Sequence, residues 1–414
     1  MATQGPDTLT GNNLANTING LGGDDLISGL GGNDLLRGGN DKDVIYGGNG
    51  ADRLFGDVGE DELYGEDGDD TLYGGINAID GVDGKDLLDG GAGNDLVYGG
   101  LGDTAQGGAD NDTVVGSFYD DLLYGDDAMG ITPSGADSIV GGEGNDTIYG
   151  EANDTIQGFN DTIKGEGGDD NIYGYGGDDS LLGGDGVDYI DGGDGNDILD
   201  GGTGASTLLG GAGLETIRGG TEGDFIEGGE GNDSLLGLGG NDSIYGDGVG
   251  VAESLAGNDV LNGGVGDDFL DGGAGVDRVL GGAGFDVLFG GEDAETQTAR
   301  DTLTGGADTD YFQLLYTGFI PEPPVIGEPI VSPPVGDYIV DFVKGTDLFL
   351  VEGITFEQLG FQNIMLPVNG VQTNSTRIYV KPEVGIPIAQ AETLAVVQGV
   401  RTFNASHFIF EPIV

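Results

Sequence analysis

Gly192-Gly193-Asp194-Gly195-Asn196-Asp197-Ile198-Leu199-Asp200 reads G-G-x-G-x-D-x-U-x, with U a large aliphatic residue. The next nine residues start the pattern again, and so do the nine before them. A short fixed period means that one small unit is built over and over. Units run through residues 11–313 after a half-unit at 5–10, and the longest stretch in unbroken register is 165–245. Position eight is apolar in unit after unit, as at Ile27, Leu36, Ile45, Leu54, Leu63 and Leu72.

Composition alone suggests a solvated acidic chain. Of 414 residues, 91 are Gly, 12 are Lys or Arg and 75 are Asp or Glu, giving a formal net charge of -63. Self-repulsion on that scale opposes any compact state unless cations neutralise it, and high charge with modest hydrophobicity usually means disorder. The regular aliphatic positions argue for a fold instead. The charge argues against nucleic acid and anionic lipid as partners and favours cations. No Cys is present, so there is no disulfide framework, thiol nucleophile or cysteine zinc site. The single histidine, His407, excludes a two-histidine zinc helix. No G-x-S-x-G nucleophile elbow occurs. The first residues lack the basic and apolar regions of a cleavable signal, and no apolar run approaches the roughly 18 residues that a membrane span needs.

Positions seven to nine read as a short strand, with position eight on one face and its neighbours on the other. One apolar residue per unit builds a core only if units stack into an inward ladder. Two facing strands need two units per turn, hence about 18 residues per coil. The glycines let the intervening turn adopt positive φ and gather backbone carbonyls. Carbonyls and carboxylates are hard oxygen ligands that suit calcium. Coils lie about 4.8 Å apart, where two bare carboxylates repel by roughly 3–4 kcal/mol at an effective dielectric of about 20. A divalent ion between each pair turns that repulsion into attraction. The stack is therefore expected to fold with calcium and to unfold without it.

The expected metal ligands are the position-six acids. They are Asp25, Asp34, Asp43, Asp52, Asp61, Asp70, Asp86, Asp95, Asp112, Asp121, Asp137, Asp146, Asp154 and Asp161, then Asp170, Asp179, Asp188, Asp197, Asp224, Asp233, Asp242, Asp259, Asp268, Asp277, Asp286, Asp301 and Asp310. They imply calcium ions on the order of two dozen. Asn16, Ser206 and Glu215 replace the acid in their units, and unit 99–106 lacks a clean one, so calcium is expected to be weak or absent beside them.

Several units break the period. Units 74–89, 125–140, 246–262 and 290–304 carry insertions, read as surface loops at a turn, and 99–106, 150–157 and 158–164 are short. After residue 313 the acid excess fades, and half of the prolines fall in a stiff loop at 320–335. Strands are predicted at 337–342, 348–351, 376–381 and 407–410, with a brief helical turn at 355–359 capped by Thr355. The division expected is a repeat domain over 1–313 and a compact, mostly-β cap over 314–414.

The repeat resembles the RTX, or hemolysin-type, calcium-binding proteins, whose nonapeptide is G-G-x-G-x-D-x-U-x. The resemblance implies an all-β fold: a parallel β-roll, two nonapeptides per coil, with calcium between successive turns on both edges. It also implies type I secretion through an uncleaved C-terminal signal, which fits the absent leader. Residues 337–342 followed by Gly345-Thr346-Asp347 resemble the D-x-I-x-D-F-x-x-G-x-D motif that often follows such repeats. With residues 394–400 and 406–410, the end of the chain is similar to cyanobacterial RTX proteins.

The function expected is a secreted, calcium-binding structural protein of the cell surface or extracellular matrix, without enzymatic activity. The first coil has almost no chain before it, and a bare solenoid end normally needs a cover. That suggests self-association head to tail into fibres or a lattice. A second reading is an adhesin or lectin-like module binding surface polysaccharide through outward tyrosines at position nine: Tyr46, Tyr64, Tyr73, Tyr98, Tyr124, Tyr149, Tyr173 and Tyr245. Pairs spaced 18 apart, such as Tyr46 and Tyr64, are placed to stack. A third is a polysaccharide-modifying enzyme on a β-solenoid, against which the bases Lys42, Lys85 and Lys164 read as scattered.

Overall fold

A computed structural model describes residues 2–75, 84–127, 135–151, 158–248, 251–252, 254–291 and 301–314. Beyond these it describes 335–339, 341, 347–352, 359–368, 371–380, 393–398, 403 and 405–411. It falls into two compact units, Met1–Ala212 and Gly213–Val414.

In Met1–Ala212 the described nonapeptides contribute one strand each, and alternate strands belong to two parallel sheets. Strand Ser180–Asp185 pairs with Ile198–Thr203 in the register Leu181↔Leu199, while Asn171–Gly176 pairs with Tyr189–Asp194 in the register Ile172↔Ile190. Each step is one coil of two units. Many strands are longer than positions seven to nine. Ile198–Thr203 runs on through both glycines of the next unit, because Gly184↔Gly202 and Asp185↔Thr203 continue the pairing.

Burial along these strands alternates. Position eight is inward, and Leu181, Ile190, Leu199 and Leu208 are 2% exposed or less. Each such side chain is worth about 1.5–3 kcal/mol of burial, so the stack of coils, rather than any one unit, holds the core. Two glycines show why the turn tolerates little else. Gly193 sits at φ +100° and Gly195 at φ +152°. A Cβ on Gly195 would also collide with the Gly177 carbonyl oxygen one coil away.

Changes in unit length are absorbed in the turns. Across 74–89 the pairing steps from Glu62 to Leu87, and across the short unit it steps from Leu87 to Thr104, with strands parallel throughout. The insertion loops themselves lie largely outside the described residues. Of residues 150–164, read in the sequence as two short units, 152–157 lie outside the described residues. The next described strand after Thr147–Tyr149 is Thr162–Gly167, and it pairs with Ser138–Glu143, so the described pairing steps from Ser138 to Thr162 as one coil.

Gly213–Val414 repeats the architecture, with Leu235↔Leu261 and Leu270↔Leu288 in register. The composition changes at 314, but the sheets do not stop there. Val335–Ile339 pairs parallel with Thr302–Ala307, and Leu348–Glu352 pairs parallel with Tyr311–Leu314. Thr393–Gln398 and Phe408–Glu411 add one further parallel strand to each. An antiparallel hairpin, Leu359–Val368 with Val371–Val380, then closes on Thr393–Gln398. The loop expected at 320–335 lies outside the described residues, except that Val335 opens a strand. Residues 355–358 of the expected helical turn also lie outside them, and Leu359 begins the hairpin. His407 ends a single 3-10 turn, Ala405–His407, instead of opening the last strand. It is 4% exposed and stands edge-on to Phe403, with ring centroids 5.8 Å apart.

Candidate metal centres along the turns

The turn that precedes each strand places its position-six acid inside the stack. Asp197 is 0% exposed. Its Oδ1 accepts the Asp179 N–H at 2.8 Å, and Asp179 Oδ1 accepts the Asp161 N–H at 2.7 Å. Each carboxylate thus ties its coil to the one before. The other oxygen behaves differently. Oδ2 of Asp43, Asp70, Asp112, Asp161, Asp179 and Asp197 is buried with no hydrogen-bond partner, and so it is in Asp242, Asp259 and Asp277. A bare, buried carboxylate oxygen is costly.

That oxygen faces another. A Cβ on Gly192 would stand 2.5 Å from Asp197 Oδ2 and 2.5 Å from the Gly210 carbonyl oxygen. On Gly272 it would stand 2.6 Å from Asp277 Oδ2 and 2.6 Å from the Gly290 carbonyl oxygen. The first glycine therefore leaves room where a carboxylate and a carbonyl of the next coil approach each other. Among the described residues the ion pairs are Arg37–Asp57 and Lys42–Glu62, and neither includes a position-six acid. No three His, Cys, Asp or Glu side chains converge among the described residues, so carbonyl oxygens must complete any site. Hard oxygens, local negative charge and unsatisfied carboxylates together fit calcium.

Burial dominates the titration of these groups without a metal. It pushes Asp43 and Asp95 up to about 7, Asp70 and Asp179 to about 8, and Asp112, Asp161 and Asp277 to about 9. The N–H that each accepts pulls the other way but less, and neighbouring carboxylates add to the rise for Asp112 and Asp161.

All the aspartates expected as ligands are buried except Asp154, which lies outside the described residues. The ladder beside Asp154 closes without it: Asp137 N–H donates to Asp161 Oδ1, and Asp146 N–H to Asp170 Oδ1, both at 2.8 Å. Unit 99–106 does have a position-six acid, Asp103. It is 1% exposed, accepts the Asp86 N–H at 2.8 Å and donates to Asp121 Oδ1 at 2.8 Å. The shortened turn hid it from the spacing. Asp103 Oδ2 accepts the Gly100 N–H, and Asp121 Oδ2 accepts the Ser117 N–H at 2.7 Å. These two carboxylates have donors where most of the others have none. The three departures keep the tie between coils. Asn16 N–H donates to Asp34 Oδ1 at 2.6 Å, Ser206 Oγ accepts the Asp188 N–H at 3.1 Å, and Glu215 N–H donates to Asp233 Oδ1 at 2.9 Å.

Position five carries a second ladder that the sequence reading passed over. Asp178 N–H donates to Asn160 Oδ1 at 3.0 Å, and Asn196 N–H to Asp178 Oδ1 at 2.8 Å. The signal was the Asn or Asp that recurs just before the position-six Asp. The position-nine rings do stack. Tyr46 and Tyr64 lie 5.0 Å apart at 11°, and Tyr124, Tyr149 and Tyr173 continue at 5.0 and 5.1 Å. Stacking occupies ring faces and leaves mainly edges and hydroxyls outward. Lys42 and Lys85 are less scattered than they read: both line one groove of about 540 Å³, with Glu60, Asp61, Glu62 and Asp86.

Among the described residues no helix is long and apolar enough to cross a membrane. No curated protein matches the chain. A family model described as the RTX calcium-binding nonapeptide repeat (4 copies) matches residues 1–36, 10–45, 46–78, 73–104, 106–128, 134–158, 155–190, 191–226, 218–249, 253–288 and 271–296. The repeats that build both sheets are those the model matches, and the chain belongs to this calcium-binding RTX family.

Proposed function

We propose that this is a secreted structural protein of the cell surface or extracellular matrix, without enzymatic activity, whose folding is switched by calcium. The observation that carries the reading is the recurring buried Oδ2 atom without a hydrogen-bond partner, as in Asp43, Asp70, Asp112, Asp161, Asp179, Asp197, Asp242, Asp259 and Asp277. Calcium, when bound, supplies the positive charge these carboxylates lack. The residues do the rest: Oδ1 ties coil to coil, Oδ2 and carbonyls offer hard oxygens, and position eight fills the core. Low cytosolic calcium keeps such a chain open for export, and high external calcium folds it. The ligands on this reading are the position-six aspartates, joined by Asp103 and Asp347, the latter accepting the Asp310 N–H at 3.4 Å.

Head-to-tail association belongs to the same proposal. Leu9 and Ile18 are only part-buried, whereas Ile27 and Leu36, one coil on, are 0% exposed. Such an edge is covered either by preceding chain or by a second copy, and this reading takes the copy. Electron microscopy of the calcium-loaded chain over a range of concentrations tests it. Fibres or sheets growing with concentration are expected; single particles at every concentration would remove the assembly part and leave the calcium part standing.

A further inference from the structure

Two neighbouring turns on one edge carry an acid at position two, where the repeat has glycine: Asp126 after Gly125 and Glu151 after Gly150. Both turns hold inserted residues, and they lead into strands Ser138–Glu143 and Thr162–Gly167, which pair in parallel. Asp126 N–H donates to the Gly150 carbonyl at 3.3 Å, so the two acids stand on successive coils. Asp126 is 3% exposed and Glu151 is 1% exposed. The position-six acids of the same turns, Asp137 and Asp161, are buried beside them. The two turns thus carry four buried carboxyls where two plain turns carry two.

Part of their work is to close the loop bases. Asp126 Oδ1 accepts the Gly135 N–H at 3.1 Å, and Glu151 Oε1 accepts the Phe159 N–H at 2.5 Å. Asp247 does the same in the other compact unit, and there both oxygens are used, by Gly257 N–H at 3.2 Å and Ala274 N–H at 2.6 Å. Glu151 is not spent in this way. Its Oε2 is buried with no hydrogen-bond partner, and so are Asp137 Oδ2 and Asp161 Oδ2. A Cβ on Gly125 would collide with both Asp137 Oδ2 and the Gly150 carbonyl oxygen, so those two oxygens approach each other next to Glu151.

The geometry points to a distinct divalent-cation site between these two turns, with Glu151 and Asp126 adding carboxylate charge to Asp137 and the Gly150 carbonyl, that holds calcium more tightly than the periodic sites. It rests on the calcium reading of the repeats. Like the periodic sites it needs carbonyl oxygens, since no three acidic side chains converge among the described residues. Ligand charge and rigidity set calcium affinity across several decades, and this pair of turns has more charge than its neighbours. All donors are oxygens, which favours calcium over softer metals. The site would fill first as calcium rises.

The test is calcium bound to the full chain across a series of chelator-buffered free-calcium levels, for the natural sequence, Glu151→Gln, Asp126→Asn and Asp247→Asn. Glutamine retains the Oε1 acceptor for Phe159 and removes the charge. The natural chain is expected to show a small class of ions retained at about tenfold lower free calcium than the rest. Glu151→Gln abolishes that class while the bulk of the ions and the circular dichroism at saturating calcium are unchanged. Asp247→Asn leaves the class in place. If Glu151→Gln does not fold at saturating calcium, Asp126→Asn decides. Absence of a tight class in the natural chain, or its survival in the folded Glu151→Gln or Asp126→Asn variant, overturns the proposal. Absence of any bound calcium would instead overturn the reading on which it rests.

Discussion

A single carboxyl group does two jobs in this fold. Asp197 holds the Asp179 N–H with one oxygen and leaves the other bare and buried. The pH dependence follows from that division. Burial raises the position-six carboxyls of the metal-free fold, Asp70 to about 8 and Asp112 to about 9, above the 3.8 of an open chain. Protonation therefore favours the metal-free fold; its contribution is complete below about 4 and is lost as pH rises through about 7 to 9. In excess chelator, the β signal in circular dichroism should be strongest near pH 4 and fall away by pH 9. In calcium the sign reverses, because a ligating carboxylate must be deprotonated. The calcium midpoint should move to higher calcium as pH drops from about 8 to about 5. Gly195→Ala tests the turn. It places a side chain at φ +152° and against the Gly177 carbonyl oxygen, and should cost about 1–3 kcal/mol, read as a higher calcium midpoint. At this scale the sequence was legible wherever the spacing was regular. Asp103 escaped because its turn is short, and the position-five ladder escaped because Asn and Asp are common turn residues in any case.

The coil is the unit of stability, since a nonapeptide alone has one inward side chain and no partner for its carboxylate. Leu199→Ala should cost about 2–5 kcal/mol through the cavity it leaves, measurable as a drop in thermal midpoint in saturating calcium. Ser206→Asp should act in the opposite sense. Ser206 already accepts the Asp188 N–H at 3.1 Å and lacks only the second acid oxygen. Restoring that oxygen should raise bound calcium by about one ion, read by atomic emission after dialysis. The alternation of inward and outward residues and the two-unit coil could be read from the sequence, because strand geometry leaves position eight no other place to go. The strand lengths could not. Pairing through the two glycines depends on the coil above and below, as Gly184↔Gly202 shows. The partition of 150–164 depends on pairing too: two short units match the spacing, while among the described residues the pairing steps from Ser138 to Thr162 as one coil.

For the whole chain, the formal charge of -63 is the dominant physical fact. The two ion pairs among the described residues do nothing to offset it within the ladder of position-six acids. Composition suggested a boundary at 314, and there the acids do thin out. The strands at Val335–Ile339 and Leu348–Glu352 nevertheless prolong the sheets, because the edge of a parallel sheet accepts any strand that brings backbone donors and apolar inward residues. Charge density followed the ligands and strand pairing followed the backbone, so the two boundaries need not coincide. The most direct test is circular dichroism of the full chain at neutral pH, titrated with calcium from excess chelator. The account predicts a disordered spectrum in chelator and a cooperative gain of β structure as calcium is added. A chain equally folded in chelator and in calcium would contradict it.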